Sequence, residues 1–431
     1  MKHCFRIIIG MLLIAIPLCL NAQVKPKKNN APKPKEKVEQ QEDLSRPEKA
    51  KPMPVEEAEK EITEPMQHGK PEKPILPDGK GPKVGNDWIP KISGFAQGMY
   101  QANFDSDFSL IDNSFSLRRV RLSVDGSLFK GLTYKIQGDF VRSPMLVDAY
   151  LKYKVADAFA IQIGQFKTPF SLESPINPLN LEINDYGVVI QKLVGYDDIC
   201  GIKAIGRDIG VMASGSLFPI KGEEGNVKYH VVEYAVGIFN GNGVNIKDNN
   251  NRKDLVGRIN VHPGLKDLTL SGSYYNGKYK KDEINQGTRD RWAVGAQYNN
   301  GDLVIRAEYL NGYTGYQVAA FNDSVPVIDE QGHQVFVEEL RNSKGFYAVA
   351  GYNFKLGKEK TQKLMPVVRY DHFVPGDMAN EVYGHTDYYT VGVSYWPLKS
   401  VNCKLDYTLI QQVIGERTNS HSIVVMVNYK F

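Results

Sequence analysis

The feature that most limits what this chain can become is a period-two alternation of apolar and polar residues, which recurs from Trp88 to Phe431. Successive side chains of a strand point to opposite faces. In the last stretch Phe431, Tyr429, Val427, Val425 and Ile423 therefore share one face, and Lys430, Asn428, Met426, Val424 and Ser422 the other. Leu132, Tyr134, Ile136, Gly138 and Phe140 oppose Thr133, Lys135, Gln137 and Asp139 in the same way. Val147, Ala149, Leu151, Tyr153 and Val155 oppose Asp148, Tyr150, Lys152 and Lys154, while Val120, Leu122 and Val124 oppose Arg119, Arg121, Ser123 and Asp125. About sixteen such segments are separated by turn residues, from 89–103 and 114–128 to 401–412 and 421–431. One apolar face fit for lipid and one polar face is the pattern of a transmembrane strand.

The connections sharpen the reading. Those after even-numbered segments are compact, as at Phe129–Gly131, Ala156–Asp157, Asn299–Asp302 and Pro397–Ser400, with the longer Pro219–Val227 as an exception, matched by the short Arg142–Met145 on the other side. Several after odd-numbered segments are long, notably 168–206, 241–253, 313–342 and 374–385. Short turns on one side and long loops on the other, with an even strand number, describe a bacterial outer-membrane barrel. A soluble sandwich needs no such asymmetry and would leave the tyrosines and valines in water. A closed barrel also leaves no strand edge unpaired in lipid. The expected fold is therefore all-β, a transmembrane antiparallel β-barrel of about 16 strands. A mean hydropathy of -0.36 with 24% charged residues fits it, because only alternate residues need be apolar.

Two segments precede the barrel. Lys2 and Arg6 flank the apolar run Ile7–Leu20, and Ala22 supplies a small residue before Gln23, so residues 1–22 read as a signal peptide. Leu18 before Cys19 argues against a lipoprotein. Residues 23–87 are rich in Lys, Glu and Pro, as in Lys33-Pro-Lys-Glu-Lys37, with too little to bury to offset chain entropy. They are expected to form a disordered periplasmic linker, a spacer or else an arm touching the cell wall. The barrel domain is assigned to 88–431. Signal removal leaves Cys200 and Cys403, whose pairing the sequence does not decide.

A barrel of this size encloses a water-filled lumen. Alternation points Arg119, Arg121, Lys135, Lys152, Lys154, Arg258, Arg291, Arg306 and Lys404 into it, interspersed with Asp125, Asp139, Asp148, Glu233, Glu308 and Asp406. Lumen cations favour anions, and Arg118, Arg119 and Arg121 form the densest basic group. The loop 168–206 carries apolar residues of its own, including Leu179, Leu181, Ile183, Val188, Val189 and Ile190. It is expected to fold inward as a constriction, with Lys167, Glu173, Lys192 and Lys203 as its candidate charged residues. Tyr429 and Phe431 are expected to help close the barrel against the first strand.

Arg118-Arg-Val-Arg-Leu-Ser-Val-Asp-Gly-Ser-Leu-Phe129, Asp148-Ala-Tyr-Leu-Lys-Tyr153 and Ile163-Gly-Gln-Phe-Lys-Thr-Pro-Phe-Ser-Leu-Glu173 resemble the phosphate-selective porins O and P. The likeness spans essentially Trp88 to Phe431. It implies a sixteen-stranded outer-membrane channel, commonly trimeric, with a constriction from the loop after strand five and an arginine-rich anion path. The segment Ser174–Asp185 departs from it in having no basic residue.

The expected function is a passive outer-membrane porin for small hydrophilic solutes, leaning towards anions such as phosphate or polyphosphate. The alternative is a barrel serving as an adhesin or as a structural subunit of a surface assembly. No Gly-x-Ser-x-Gly, His-Glu-x-x-His or Cys-x-x-Cys motif points to an enzyme, a cofactor or a metal. The expected partners are outer-membrane lipid, small anionic solutes and two further copies in a homotrimer, with no nucleic acid.

Overall fold

Strand propensity and alternation produce one closed sheet in the computed structural model, which describes residues 90–282, 286–322, 325–357, 361–376 and 384–431. The expected signal peptide, 1–22, and linker, 23–87, lie outside the described residues. The strands are β1 (Lys91–Phe104), β2 (Leu110–Phe129), β3 (Leu132–Asp139), β4 (Leu146–Ala156), β5 (Phe159–Lys167) and β6 (Arg207–Lys221). They continue as β7 (Val227–Phe239), β8 (Asp254–Val261), β9 (Leu268–Lys280), β10 (Gln286–Asn299) and β11 (Leu303–Ala319). The last are β12 (Phe336–Tyr352, resuming as Phe354–Leu356), β13 (Gln362–Val374), β14 (His385–Leu398), β15 (Val401–Ile414) and β16 (Glu416–Lys430). Each pairs antiparallel with its sequence neighbour, and β1 pairs with β16 to close a 16-strand barrel. No helix among the described residues is long and apolar enough to cross a membrane; the strands do the crossing.

Closure runs from Phe95 opposite Lys430 to Phe104 opposite His421. One residue further, Gly94 and Phe431 exchange both backbone hydrogen bonds at 3.0 Å. Glycine is needed there, because a Cβ on Gly94 would stand 2.5 Å from the Phe431 ring and 2.8 Å from the Arg121 carbonyl oxygen. Tyr429 and Phe431 point outward and are exposed, whereas Met426 and Asn428 face inward and are buried.

The structure departs from the expected pattern in four places. β11 and β12 extend well beyond 303–312 and 344–355, so the loop between them shrinks to 320–335. β15 and β16 meet at Gly415 instead of at an open loop over 414–420. Two β-bulges also shift the alternation, since the extra residue of a bulge turns a side chain to the other face. Gln97 pairs with Arg119 but Gly98 pairs with Leu117, leaving Arg118 as the extra residue of β2. Gln137 pairs with Asp148 but Gly138 with Leu146, which leaves Val147 extra in β4. Val147 is consequently buried against Ile205 and Val244 and does not face lipid.

Candidate functional site

The loop 168–206 has no lipid in which to bury its apolar side chains, and they collapse onto the inner wall. It holds a 3-10 turn, Pro178–Asn180, whose Leu179 amide donates to Asn177 Oδ1 at 3.1 Å, and one helix, α1 (Val188–Val194), ended by the left-handed Gly195. Phe170, Leu181, Ile183, Val189, Ile190 and Leu193 pack against Phe239, Tyr275, Leu310, Tyr347, Val349, Val367 and Phe373. The side of the lumen that the loop covers is thereby an apolar core. This explains why Val367 and Phe373 of β13 face inward while Val368 faces out.

Polar anchors fix the loop's position. Arg306 of β11 reaches Glu173 Oε2 at 3.1 Å and Glu182 Oε2 at 2.5 Å. Arg369 of β13 binds the same Glu173 oxygen at 2.7 Å and chelates Asp371 at 2.7 and 2.9 Å. Arg291 of β10 holds Asp198 at 2.6 Å and the Leu193 carbonyl at 2.7 Å. Lys404 donates to the carbonyls of Leu181 and Ile183, and Arg258 to that of Ser171 at 2.9 Å. Asp406 accepts from the Asn184 amide at 2.7 Å, and Glu308 accepts from Ser171 Oγ and the Leu172 amide. Burial alone would raise the Glu173 pKa, but Arg369 and Arg306 outweigh it and hold the carboxyl below its usual range. Asp198 is lowered likewise, Arg291 outweighing burial.

The far tip of the loop touches β2. Asp185 accepts from Arg119 Nη2 at 2.7 Å and from Arg118 Nε at 2.6 Å. The bulge makes this double contact possible, because without it neighbouring residues would face opposite sides. Burial pushes the Asp185 pKa up, yet Arg119 and Arg118 prevail and bring it to about 2.

The passage that remains lies between the loop and the wall from β2 to β6. A cavity of about 320 Å³ is lined there by Arg121, Lys135, Lys167, Arg207, Asp148, Tyr150 and Met212 on the wall side and by Pro175, Asn177 and Pro178 on the loop side. Arg121 pairs with Asp139 at 2.9 Å, Lys135 with Asp125 at 3.3 Å, and Arg207 with Asp148 at 2.7 and 3.1 Å. Lys167 instead donates to the carbonyls of Ser174 and Ile176 and to the Tyr186 hydroxyl. At this level Arg118, Arg119, Arg121, Lys135, Arg142, Lys167 and Arg207 stand with only Asp125, Asp139, Asp148 and Asp185, a local excess of positive charge. The crowding is felt at Arg142, in the β3–β4 connection. Burial lowers its pKa against the pull of Asp139, and Arg118, Arg119 and Arg207 push it the same way.

Met212 also lines a second cavity of about 400 Å³, which runs to the β4–β5 turn past Lys152, Lys154, His230, Glu233 and Arg258. Lys154 pairs there with Asp157 at 2.6 Å. On the opposite flank of the loop, between Leu193, Arg289 and Arg291, the space is about 10 Å³, enough for roughly one water.

The expected site residues thus fall into groups. Arg119, Arg258, Arg291, Arg306 and Lys404 face inward and hold the loop, with Glu173 as its buried centre. Arg121, Lys135 and Lys167 border the open passage, and Lys152 and Lys154 the cavity beneath it. Lys192 pairs with Asp197 at 2.5 Å, and Lys203 is exposed near the loop's return to β6. Glu182, Asp185, Asp198, Arg207 and Arg369 do not emerge from alternation as part of this site, and Arg118 emerges only as a member of the basic group at 118–121. Arg207 opens its strand and Arg369 sits among apolar neighbours, so neither stood out. Cys200 and Cys403 are both free.

The sequence profile of the phosphate-selective porin O and P family matches residues 92–431. Among solved structures, the anion-selective porin from Comamonas acidovorans superposes with a TM-score of 0.54 at 11% identity, over 79% of this chain and 99% of that one. The outer membrane channel DcaP of Acinetobacter baumannii gives 0.51 at 15% identity, over 79% and 97%. OmpF of Salmonella typhi in complex with daunomycin gives 0.52 at 16% identity, over 81% and 99%. At such identities the likeness is one of fold. No curated protein sequence matches the chain.

Proposed function

We infer that this chain, which belongs to the phosphate-selective porin O and P family, is an outer-membrane channel that passes small anions, phosphate among them, by diffusion. The observation that carries the preference is the excess of cations over carboxylates on the β2–β6 wall of the passage. Of the loop's own acids, Glu173, Glu182, Asp185 and Asp198 are paired with arginines and Asp197 with Lys192, and they offer little to a passing cation. Charge rings in a pore act on permeating ions in this way. On this reading Arg121, Lys135, Lys152 and Lys167 attract the anion, and Arg119 shapes the path by holding Asp185. Export with cleavage after residue 22 and assembly into trimers belong to the same reading, as does a periplasmic contact through 23–87.

The test is the full chain in a planar bilayer under a salt gradient. Stepwise conductance with an anion-selective reversal potential is expected, and Arg121→Gln with Lys135→Gln should move that potential towards zero. Lys266→Gln, in an exposed turn, should not. Absence of conductance steps would favour an adhesin or structural barrel, and a cation-selective potential would remove the anion preference alone.

A further inference from the structure

We propose that the constriction is shaped for anions with an apolar body, such as aromatic or alkyl carboxylates and phosphate monoesters, in preference to bare inorganic phosphate. The proposal rests on the anion-channel reading above and names its solute class.

The two sides of the passage differ in kind. The wall supplies cations, with Lys135 and Lys167 partly exposed to the cavity. The loop side supplies none. From Ser174 to Asp185 its only charged residues are Glu182 and Asp185, which are engaged by Arg306 and by Arg118 and Arg119. What it turns to the cavity is Pro175, Asn177 and Pro178, the first two exposed. The wall adds apolar surface of its own. Tyr150, half-buried, lies directly across from Lys135 in the β3–β4 register, and Met212 lies across from Gln162 in β5–β6.

A bare phosphate is hydrated on every side. Entering here, it would exchange water for donors on one side and, Asn177 apart, for proline rings on the other, where most of the lost hydration is not replaced. A solute with a charged head and an apolar body meets both sides. Its head faces the lysines while its body covers Pro175, Tyr150 and Met212, a gain in proportion to the apolar area removed from water. The size agrees, since about 320 Å³ lies within the range of sites for small organic ligands.

Phenyl phosphate and orthophosphate are compared, both as dianions at alkaline pH, as blockers of the chloride current through the full-length channel. Phenyl phosphate should block at roughly tenfold lower concentration, a factor corresponding to ordinary differences of small-ligand affinity. Tyr150→Gln with Met212→Gln should erase that advantage by raising the concentration at which phenyl phosphate blocks to that of orthophosphate. Pro175→Ser, on the exposed loop surface, should reduce it if the double variant does not assemble. Equal block by the two anions, or equal block by neutral benzyl alcohol, would overturn the proposed solute class. Loss of anion preference in the reversal potential would instead overturn the reading on which it rests.

Discussion

At the scale of single residues the lumen is governed by arginines whose charge is already matched. Arg306 holds Glu173 and Glu182, and Arg369 holds Glu173 and Asp371, so Glu173 ties two separate strands to one loop. Removing one member of a buried pair leaves its partner charged and unmatched, at a cost of about 3–5 kcal/mol. Arg306→Met strands Glu182 altogether. Glu173→Gln leaves Arg306 with Glu182 and Arg369 with Asp371, and should cost less, about 1.5–3 kcal/mol. Single-channel recordings should show added current noise in both variants, larger for Arg306→Met. A quiet, wild-type trace for Arg306→Met would mean that the ion pairs do not hold the loop.

Asp185 gives the same region a pH dependence with a defined sign. Its folded pKa, about 2, lies below the ordinary 3.8, so its contribution is complete above about pH 4 and is lost as pH falls towards 2. The loop tip should therefore loosen from Arg118 and Arg119 in that window, seen as a rise in conductance noise. Asp185→Asn should produce that rise at neutral pH and flatten the acid response. An acid response unchanged in Asp185→Asn would assign the effect to another carboxylate.

At the scale of elements, the barrel was largely legible and the seating of the loop was not. All sixteen strands follow from alternation and turn residues, because lipid outside and water or protein inside impose a regular period. The rule fails where its premise fails. On β13 the inner face is apolar at Val367 and Phe373 because the loop, and not water, lies against it. The bulges at Arg118 and Val147 leave no mark in the period until strand pairing is known. The anchors are also remote in sequence, Glu173 from Arg369 by 196 positions. Direct evidence for the seat of α1 comes from its capping glycine. A Cβ on Gly187 would stand 2.0 Å from Arg369 Nη2 and 2.1 Å from Asp371 Oδ1, both locked in their own pair. Gly187→Ala should thus displace the start of α1 and raise the mean conductance without unfolding the barrel. A variant of wild-type conductance would show that the helix adjusts without leaving the wall.

At the scale of the whole molecule, every strand depends on the last one. A sheet in lipid cannot leave a row of backbone groups unpaired, since each costs several kcal/mol without water to satisfy it. β16 meets that need twice over, against β15 and against β1, and Phe431, one residue past its end, carries the seam on to Gly94. Removing Tyr429–Phe431 deletes the Gly94 pair, the outward aromatic pair Tyr429 and Phe431, and the rungs of Lys430 opposite Phe95 and Tyr429 opposite Ala96. The edge of β1 is then open at the level of the short turns, where the chain enters the barrel. The shortened chain should fail to give a heat-resistant, detergent-stable band, whereas Gly94→Ala, which only crowds the Phe431 ring and the Arg121 carbonyl, should give one that melts at lower temperature. Were the truncated chain to form a barrel as heat-resistant as the intact one, the seam between β1 and β16 would have to be held by the eight paired positions from Gln97 to Phe104 alone.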